Sequence, residues 1–445
     1  MHRLLALVFC LLLPPSRALT QSPAPTRLDQ DVAQLRYDDL AADLLQTPPG
    51  EIHDLFAGVL ADRTSRFEDA IRLLTPLLSD ATLSASRRAL VLGSLADVNV
   101  KLFRYGPADE LYSRLLGTAA AGLSPEMLKD DQDDSATLKL LVNAPAQTIS
   151  FDGSVPGAPE VDLHTHSDPL HDIAVDLTVL GVTAPWILDT GANFSTVSAS
   201  FARQLGLTPS RGAAQTEGAT GAENPLHTAI IDNLSIGHAT LHHVVVLILP
   251  DANLTFEAGR KKRYRIPAIL GYPAFQSLGD IRFARRRFQA GGLLPSTDKA
   301  SRHRNPSSPI YMEKLNVLFS CGAHGLHRSF LFDSGANSST FYLPYYRDFR
   351  ADFLHPTQAT SRSAGAGGEA TQSVYLLDDA ELRLAGHNVD LQRVPVSTAA
   401  QHNLDDEFEG SLGRDMISNV GNLTLDLTHD RVYTGRLRKE TAPKS

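Results

Sequence analysis

Two well-separated stretches of this chain spell nearly the same phrase. Residues 186–196 read Trp-Ile-Leu-Asp-Thr-Gly-Ala-Asn-Phe-Ser-Thr, and residues 330–340 read Phe-Leu-Phe-Asp-Ser-Gly-Ala-Asn-Ser-Ser-Thr. A second match follows each at almost the same distance: Ile269-Leu270-Gly271 after the first, Ser411-Leu412-Gly413 after the second. Further on, each half has another glycine, Gly279 and Gly421, opening a strand-like segment. One Asp-Thr-Gly arises easily by chance. Two copies with shared flanks and matched downstream glycines imply a duplicated fold unit.

The phrase has a chemical logic. An apolar strand running into Asp-Thr/Ser-Gly delivers a carboxylate at the end of a buried element, and glycine lets the backbone approach without a Cβ in the way. The hydroxyls of Thr190 and Ser334 can bond the partner turn. Two such turns related by a pseudo-twofold would set Asp189 beside Asp333. Like charges that close cannot both ionise, so the pair would share a proton. One carboxyl is then a base for a water molecule and the other an acid for a carbonyl oxygen. Each Asp merely capping its own turn is the competing reading, and the matched pair argues against it.

Around this repeat the texture of the chain changes twice. Residues 28–120 read as helical, with Leu35, Leu40, Leu44 and Leu45 at spacings near one helical turn. Phe67-Glu-Asp-Ala70 and Tyr105-Gly-Pro-Ala108 each begin a similar apolar stripe, as in the second helix of a tetratricopeptide (TPR) repeat. A plain helical pro-segment fits the same pattern. Residues 121–145, with the acidic run Lys129-Asp-Asp-Gln-Asp-Asp134, read as a solvated linker. Beyond it, short apolar runs such as Ile173 to Leu180 and Val244 to Leu249 alternate with Gly, Asn and Pro, the pattern of an all-β region. We divide that region into a first lobe (146–290), a linker (291–309) rich in Ser, Pro and basic residues, and a second lobe (310–436).

The first 18 residues read as an export signal: Arg3, the apolar run Leu4 to Leu13, Pro14-Pro15, then Ser16-Arg17-Ala18. That run is shorter than the roughly 18 residues expected of a membrane span, and no later stretch is apolar enough for one. The expectation is an exported protein, periplasmic or extracellular. Cleavage after Ala18 would remove Cys10, leaving Cys321 with no disulfide partner and stability resting on packing. The net charge of −9 argues against a general nucleic-acid binder.

At the motifs the chain closely resembles the retropepsin-like aspartic proteases, over residues 165 to 436. The family pattern is apolar-apolar-Asp-Thr/Ser-Gly-Ala followed later by an apolar pair and Gly. Here it is met by Ile187 to Ala192 with Ile269-Leu270-Gly271, and by Leu331 to Ala336 with Leu412-Gly413-Arg414-Asp415. The first copy has Gly271-Tyr272-Pro273 where the second keeps the family's Gly-Arg-Asp. The resemblance implies a mainly β fold: two homologous retropepsin-like β-barrel lobes pairing within one chain as a pepsin-like bilobal unit, preceded by the TPR-like helices. It implies an aspartic endopeptidase with Asp189 and Asp333 as the catalytic dyad. Thr190, Gly191, Ala192, Ser334, Gly335 and Ala336 would support it, and neither a metal nor an organic cofactor is called for. Flap candidates lie between each Asp motif and its downstream glycine: Gly218 and Gly221 in the first lobe, Gly365, Gly367 and Gly368 in the second. Ordinary hairpin turns would use the same glycines. The expected partner is a peptide or protein substrate, with a further protein partner open to the N-terminal helices.

Other features point less far. Asp162, His164, His166, Asp168 and His171 sit in a polar loop and read as solvent-exposed rather than as a metal site. The basic runs Arg260 to Arg265 and Arg285 to Arg287 read as solvated loop and edge-strand charges, and Trp186 and Phe330 as core. The alternative function is a non-catalytic peptide-binding or scaffold protein, using the helical repeats and a degenerate cleft.

Overall fold

Three helical hairpins with one shared turn open the structure, a computed structural model that describes residues 26–153, 158–217, 223–258, 262–293, 306–365, 368–400 and 407–435. The export-signal pattern over 1–18 and the flap candidates Gly218, Gly221 and Gly367 lie outside the described residues. The helices are α1 (Arg27–Ala33), α2 (Tyr37–Leu44), α3 (Glu51–Arg63), α4 (Phe67–Leu74), α5 (Ala85–Lys101), α6 (Tyr105–Thr118) and α7 (Pro125–Lys139). Between the members of each pair, Leu35, Ser65 and Phe103 take φ of 51°, 48° and 57°. The next residues, Arg36, Arg66 and Arg104, each bond a carbonyl five residues back, on Asp31, Ala61 and Asn99. One left-handed residue reverses the chain at once, so the two helices pack antiparallel. Phe67 and Tyr105 mark two of these turns in the sequence, and Tyr37 begins a third copy. Ala70 and Ala108 are fully buried where the helices close on each other.

The acidic run does not form a solvated linker. Residues 125–139 are a helix capped by the Ser124 hydroxyl, which accepts the Met127 N–H at 3.1 Å. Asp131 and Asp134 stand one turn apart and share one cation, Lys314, at 3.1 and 2.8 Å. A distant opposite charge makes a helix face of what local composition marks as linker.

Eight strands of each half share one topology, while Thr148–Phe151, which pairs with Ala239–Leu249, and the pair Thr255–Ala258 with Lys262–Arg265 occur among the described residues in the first half alone. In the first half the strands are β1 (His166–Ser167), β2 (Ile173–Val179), β3 (Val182–Leu188), β4 (Ser195–Ser198), β5 (Ala214–Glu217), β6 (Glu223–Ile236), β7 (Ala239–Leu249) and β8 (Ala268–Leu270). In the second they are β9 (Ser308–Glu313), β10 (Asn316–Ala323), β11 (Leu326–Phe332), β12 (Thr340–Phe341), β13 (Thr357–Gly365), β14 (Gly368–Leu384), β15 (His387–Val396) and β16 (Gly410–Leu412). The first half is ordered β1-β2-β3-β8-β4-β7-β6-β5, the second β9-β10-β11-β16-β12-β15-β14-β13. The directions match too: β3 with β8 and β11 with β16 are parallel, and β4 with β8 and β12 with β16 antiparallel. The linker expected over 291–309 ends early, because β9 already begins at Ser308.

A shared sheet joins the halves. Strand Asp280–Ala284 pairs antiparallel with strand Asn422–Asp426, and each continues into a hairpin with Arg287–Ala290 or Arg431–Thr434. The chain enters these two strands through Gly279 and Gly421, whose φ of 79° and 76° end short helices at residues 272–278 and 414–420. Apolar side chains from both halves form one core, in which Phe283 of the first meets Phe332 of the second with ring centroids 6.0 Å apart. Trp186 and Phe330 are fully buried within it.

The helices are fastened to this body. Tyr311, Leu318, Tyr342 and Phe408 of the second half share a core with Leu40, Leu55, Phe56 and Leu95 of the helices. A buried charge network crosses the same junction. Arg63, whose side chain is 5% exposed, approaches both carboxylate oxygens of Glu313 at 2.8 and 2.9 Å and also meets Asp62 and Asp97. Lys101 closes the set on Asp62 at 2.7 Å. Removing one partner of a buried pair strands the other's charge, so Arg63→Met should cost about 3–5 kcal/mol of unfolding free energy by denaturant titration. A chain starting at residue 146 would bare Tyr311, Leu318 and Phe408 and should unfold at a lower denaturant concentration than the full chain.

Candidate active site

Strands β3 and β11 end one residue before Asp189 and Asp333, and both aspartates are held down by the strand beneath. The Asp189 N–H donates to the Leu270 carbonyl at 3.1 Å and the Asp333 N–H to the Leu412 carbonyl at 3.0 Å. The following glycine on each floor strand has no room for a side chain. A Cβ on Gly271 would lie 2.5 Å from the Phe194 backbone, and one on Gly413 2.8 Å from that of Ala336 and Ser338. The repeated serine of the motif accounts for itself here: Ser195 Oγ accepts the Gly271 N–H and Ser339 Oγ the Gly413 N–H, both at 3.1 Å. The two floors differ at one place. Asp415 accepts from the Ser339 hydroxyl at 2.7 Å, whereas the first half has Pro273 there and closes its turn without a carboxylate.

The two turns interlock through their hydroxyls. Thr190 Oγ1 donates to the Phe332 carbonyl at 2.8 Å and accepts the Ser334 N–H at 3.0 Å. Ser334 Oγ donates to the Leu188 carbonyl at 2.8 Å and accepts the Thr190 N–H at 3.0 Å. Both side chains are at most 1% exposed, so none of the four bonds has water as an easy substitute. The lattice sets each aspartate over the other half's glycine. A Cβ on Gly191 would lie 2.8 Å from Asp333 Cγ, and one on Gly335 2.6 Å from Asp189 Cγ. Ala192 and Ala336 carry the turns onward, their carbonyls accepting from Tyr272 and Arg414 at 2.8 and 2.9 Å.

The two carboxyls are close but not alike. Asp189 Oδ1 accepts one backbone N–H, from Gly191 at 2.9 Å. Asp333 Oδ1 accepts two, from Gly335 at 2.8 Å and Ala336 at 3.1 Å. Burial, and then the charge of Asp333, pushes the Asp189 pKa well above the ordinary carboxylate range. Burial also raises Asp333, against the pull of its hydrogen bonds from Asp189 and from backbone N–H groups. Negative charge is therefore better accommodated on Asp333.

A third carboxyl stands nearby. The residues read as one polar loop are divided: Asp162 and His164 lie in strand Val161–His164 and His166 in β1, and although all three histidines are exposed, Asp168 and Asp172 of the loop before β2 are only 5% and 8% exposed. Asp168 Oδ1 accepts the N–H groups of Leu170 and Asp172, both at 2.8 Å. The loop then crosses to the second half, where Asn337 donates to the Leu170 carbonyl at 3.1 Å and to Asp172 at 3.3 Å. Burial pushes Asp172 up to about 7, with the charge of Asp168 adding to the effect and that of Arg414 opposing it. Asn193 and Asn337 were visible as a repeated letter of the motif. Nothing in the sequence marked Asp172 as the neighbour of Asn337.

Of the remaining candidates, Gly365 and Gly368 pair with each other at the end of hairpin β13–β14, and β5–β6 is described as far as the pair Glu217 and Glu223. Arg265 of the basic run pairs with Asp251 at 3.0 Å, and Arg287 pairs with Asp162. Among the described residues, no helix is long and apolar enough to cross a membrane.

Residues 175–274 match the family model described as Aspartyl protease. The matched stretch holds Asp189 with Thr190, Gly191 and Ile269-Leu270-Gly271, and Asp333 lies outside it. The class to which this part of the chain is similar is thus that of the aspartyl proteases. One similar solved structure is a retropepsin-like aspartic protease from Rickettsia conorii, 16% identical over 28% of this chain and 96% of its own, with a TM-score of 0.22. No curated protein matches the chain.

Two outcomes follow from this geometry. Thr190→Val removes a hydroxyl that serves two buried backbone groups and should cost about 1–3 kcal/mol per group left unpaired, read by denaturant unfolding. The second concerns pH. A buried carboxyl with a raised pKa favours the folded state while protonated, and that contribution is lost as pH rises through the folded value. Asp172, Glu409 and Asp430 are each pushed up by burial to about 7, and Asp189 is raised as well. The melting temperature should therefore fall as pH rises from about 4, where these carboxyls ionise in the unfolded chain, to about 7, where they ionise in the folded one, and Asp172→Asn should flatten part of that slope.

Proposed function

We propose that this chain is an exported aspartic endopeptidase in which two homologous lobes form one cleft over an Asp189/Asp333 dyad, preceded by TPR-like helices. The observation that carries the reading is the crossed Thr190/Ser334 lattice, which sets the two carboxyls against each other's glycines. The aspartyl protease match over the first half and the equal strand order of the two halves support it.

The chemistry follows from one proton shared by two unequal sites. The proton rests on Asp189, and the charge on Asp333, which has the extra backbone donor. Asp333 takes a proton from a water molecule as its oxygen bonds to the carbonyl carbon of the peptide. Asp189 gives its proton to the carbonyl oxygen, forming a neutral gem-diol. The carbon–nitrogen bond then breaks, the nitrogen leaving as an amine with a proton from Asp333 while a diol hydroxyl returns one to Asp189. Both carboxyls recover their starting states. Hairpins β5–β6 and β13–β14 are the segments proposed to close over the peptide and exclude water.

The test is cleavage of a peptide library by the purified chain. Wild type should cleave, most rapidly at acidic pH, and Asp189→Asn and Asp333→Asn should each abolish cleavage without unfolding the protein. A wild type that binds peptides and cleaves none would favour the non-catalytic reading. Activity holding level well above neutrality would refute the shared proton.

A further inference from the structure

The two halves support each other's aspartate turns, but they do so with different materials. In the sheets, Ala174 pairs with Ile187 and Leu318 with Leu331. Because Ile187 and Leu331 are equivalent positions of the repeated motif, counting back equates Leu170 with Lys314 and Asp172 with Asn316. The loop before β2 is thus the counterpart of the Lys314-Leu315 turn before β10. The first crosses to Asn337 in the Asp333 turn, and it is stiffened from within by Asp168, which takes two of its N–H groups. The second lies beside Asn193 and Phe194 in the Asp189 turn, where Asn193, Phe194, Lys314 and Leu315 line one cavity of about 40 Å³. Among the described residues Asn193 Oδ1 has no hydrogen-bond partner, whereas the Asn337 amide donates to two oxygens.

The Lys314-Leu315 turn has no acceptor corresponding to Asp168. Its anchors come from the helices instead. Glu313 is gripped by Arg63, and Lys314 by Asp131 and Asp134. The same block reaches the first half directly: the Lys101 carbonyl accepts from Gln276 at 2.8 Å, and the Tyr105 ring lies 6.4 Å from that of Phe194. Other walls of the cavity are Asp97, Tyr112, Asp134 and Leu138 of α5, α6 and α7.

We propose that the N-terminal helices are a fixed part of the active-site scaffold, with Lys314 as the positioning residue through which they hold the Asp189 turn. They do for the first half's aspartate what the Asp168 loop does for the second's. On this account the block is neither a removable inhibitor nor an appended recruiting module. The inference rests on the protease reading only where activity is the readout.

The experiment compares full-length Lys314→Met, Lys314→Arg and Asp168→Ala with wild type by backbone hydrogen exchange. Lys314→Met should speed exchange about tenfold in residues 190–197 and leave residues 334–341 unchanged. Asp168→Ala, which removes the acceptor of the Leu170 and Asp172 N–H groups, should do the reverse, and Lys314→Arg should restore the wild-type pattern. On a cleaved peptide, Lys314→Met should lower kcat by on the order of tenfold to a hundredfold with KM nearly unchanged. A folded Lys314→Met with unchanged exchange at residues 190–197, or with an equal rise at both turns, would overturn the proposal. Exchange moving as expected in a protein that cleaves nothing would uphold the brace and reject the protease.

Discussion

Four hydrogen bonds between two hydroxyls and two backbones hold this molecule's centre together. Thr190 and Ser334 each donate to a carbonyl of the opposite strand and accept the other's N–H, all out of reach of water. Because each hydroxyl serves the other half, neither turn can take its shape alone. The adjacency of two carboxyls, an unfavourable arrangement for like charges, is imposed by this lattice. The lattice in turn is only as good as the floor strands and the core beneath it. Gly271 and Gly413 are therefore as constrained as the aspartate turns above them.

Symmetry in the backbone coexists with asymmetry in the supports. Strand order and direction repeat between the halves, yet one floor turn is closed by Asp415 and the other holds Pro273. One aspartate receives two backbone donors and the other one. Such differences let two chemically identical side chains hold unequal shares of a proton. The helices add a further departure from symmetry, since their buried charges land mainly on Glu313 and Lys314 of the second half while their rings and carbonyls touch the first.

Much of the site was legible because its determinants are local. Asp, Thr or Ser, and Gly must be consecutive to make the turn, and the serine four residues beyond that glycine must return to the floor, so duplication left a readable trace. The helical block was legible for the same reason, although Tyr37 escaped notice because Leu40 stands three residues on, where Phe67 and Tyr105 are followed by the small Ala70 and Ala108. The acidic run at 129–134 misled because its partner, Lys314, is far away in sequence. Composition carries no record of a neighbour brought in by folding. The same holds for Asp168, read as a loop charge and found buried, and for Asp172, which the sequence did not mark and which lies against Asn337 of the Asp333 turn.

The division between the two sources of information is therefore one of range. By itself the amino-acid order determined the repeated strand-turn units, the identity of the two aspartates and the glycines that make room for them, because each depends on contacts within a few residues. Only the tertiary structure decided that those aspartates lie against each other's glycines, that a third carboxyl attends one of them, and that an acidic helix is a buttress rather than a tether. Charges find partners through space, and burial makes a distant partner far stronger than the same pair would be in water.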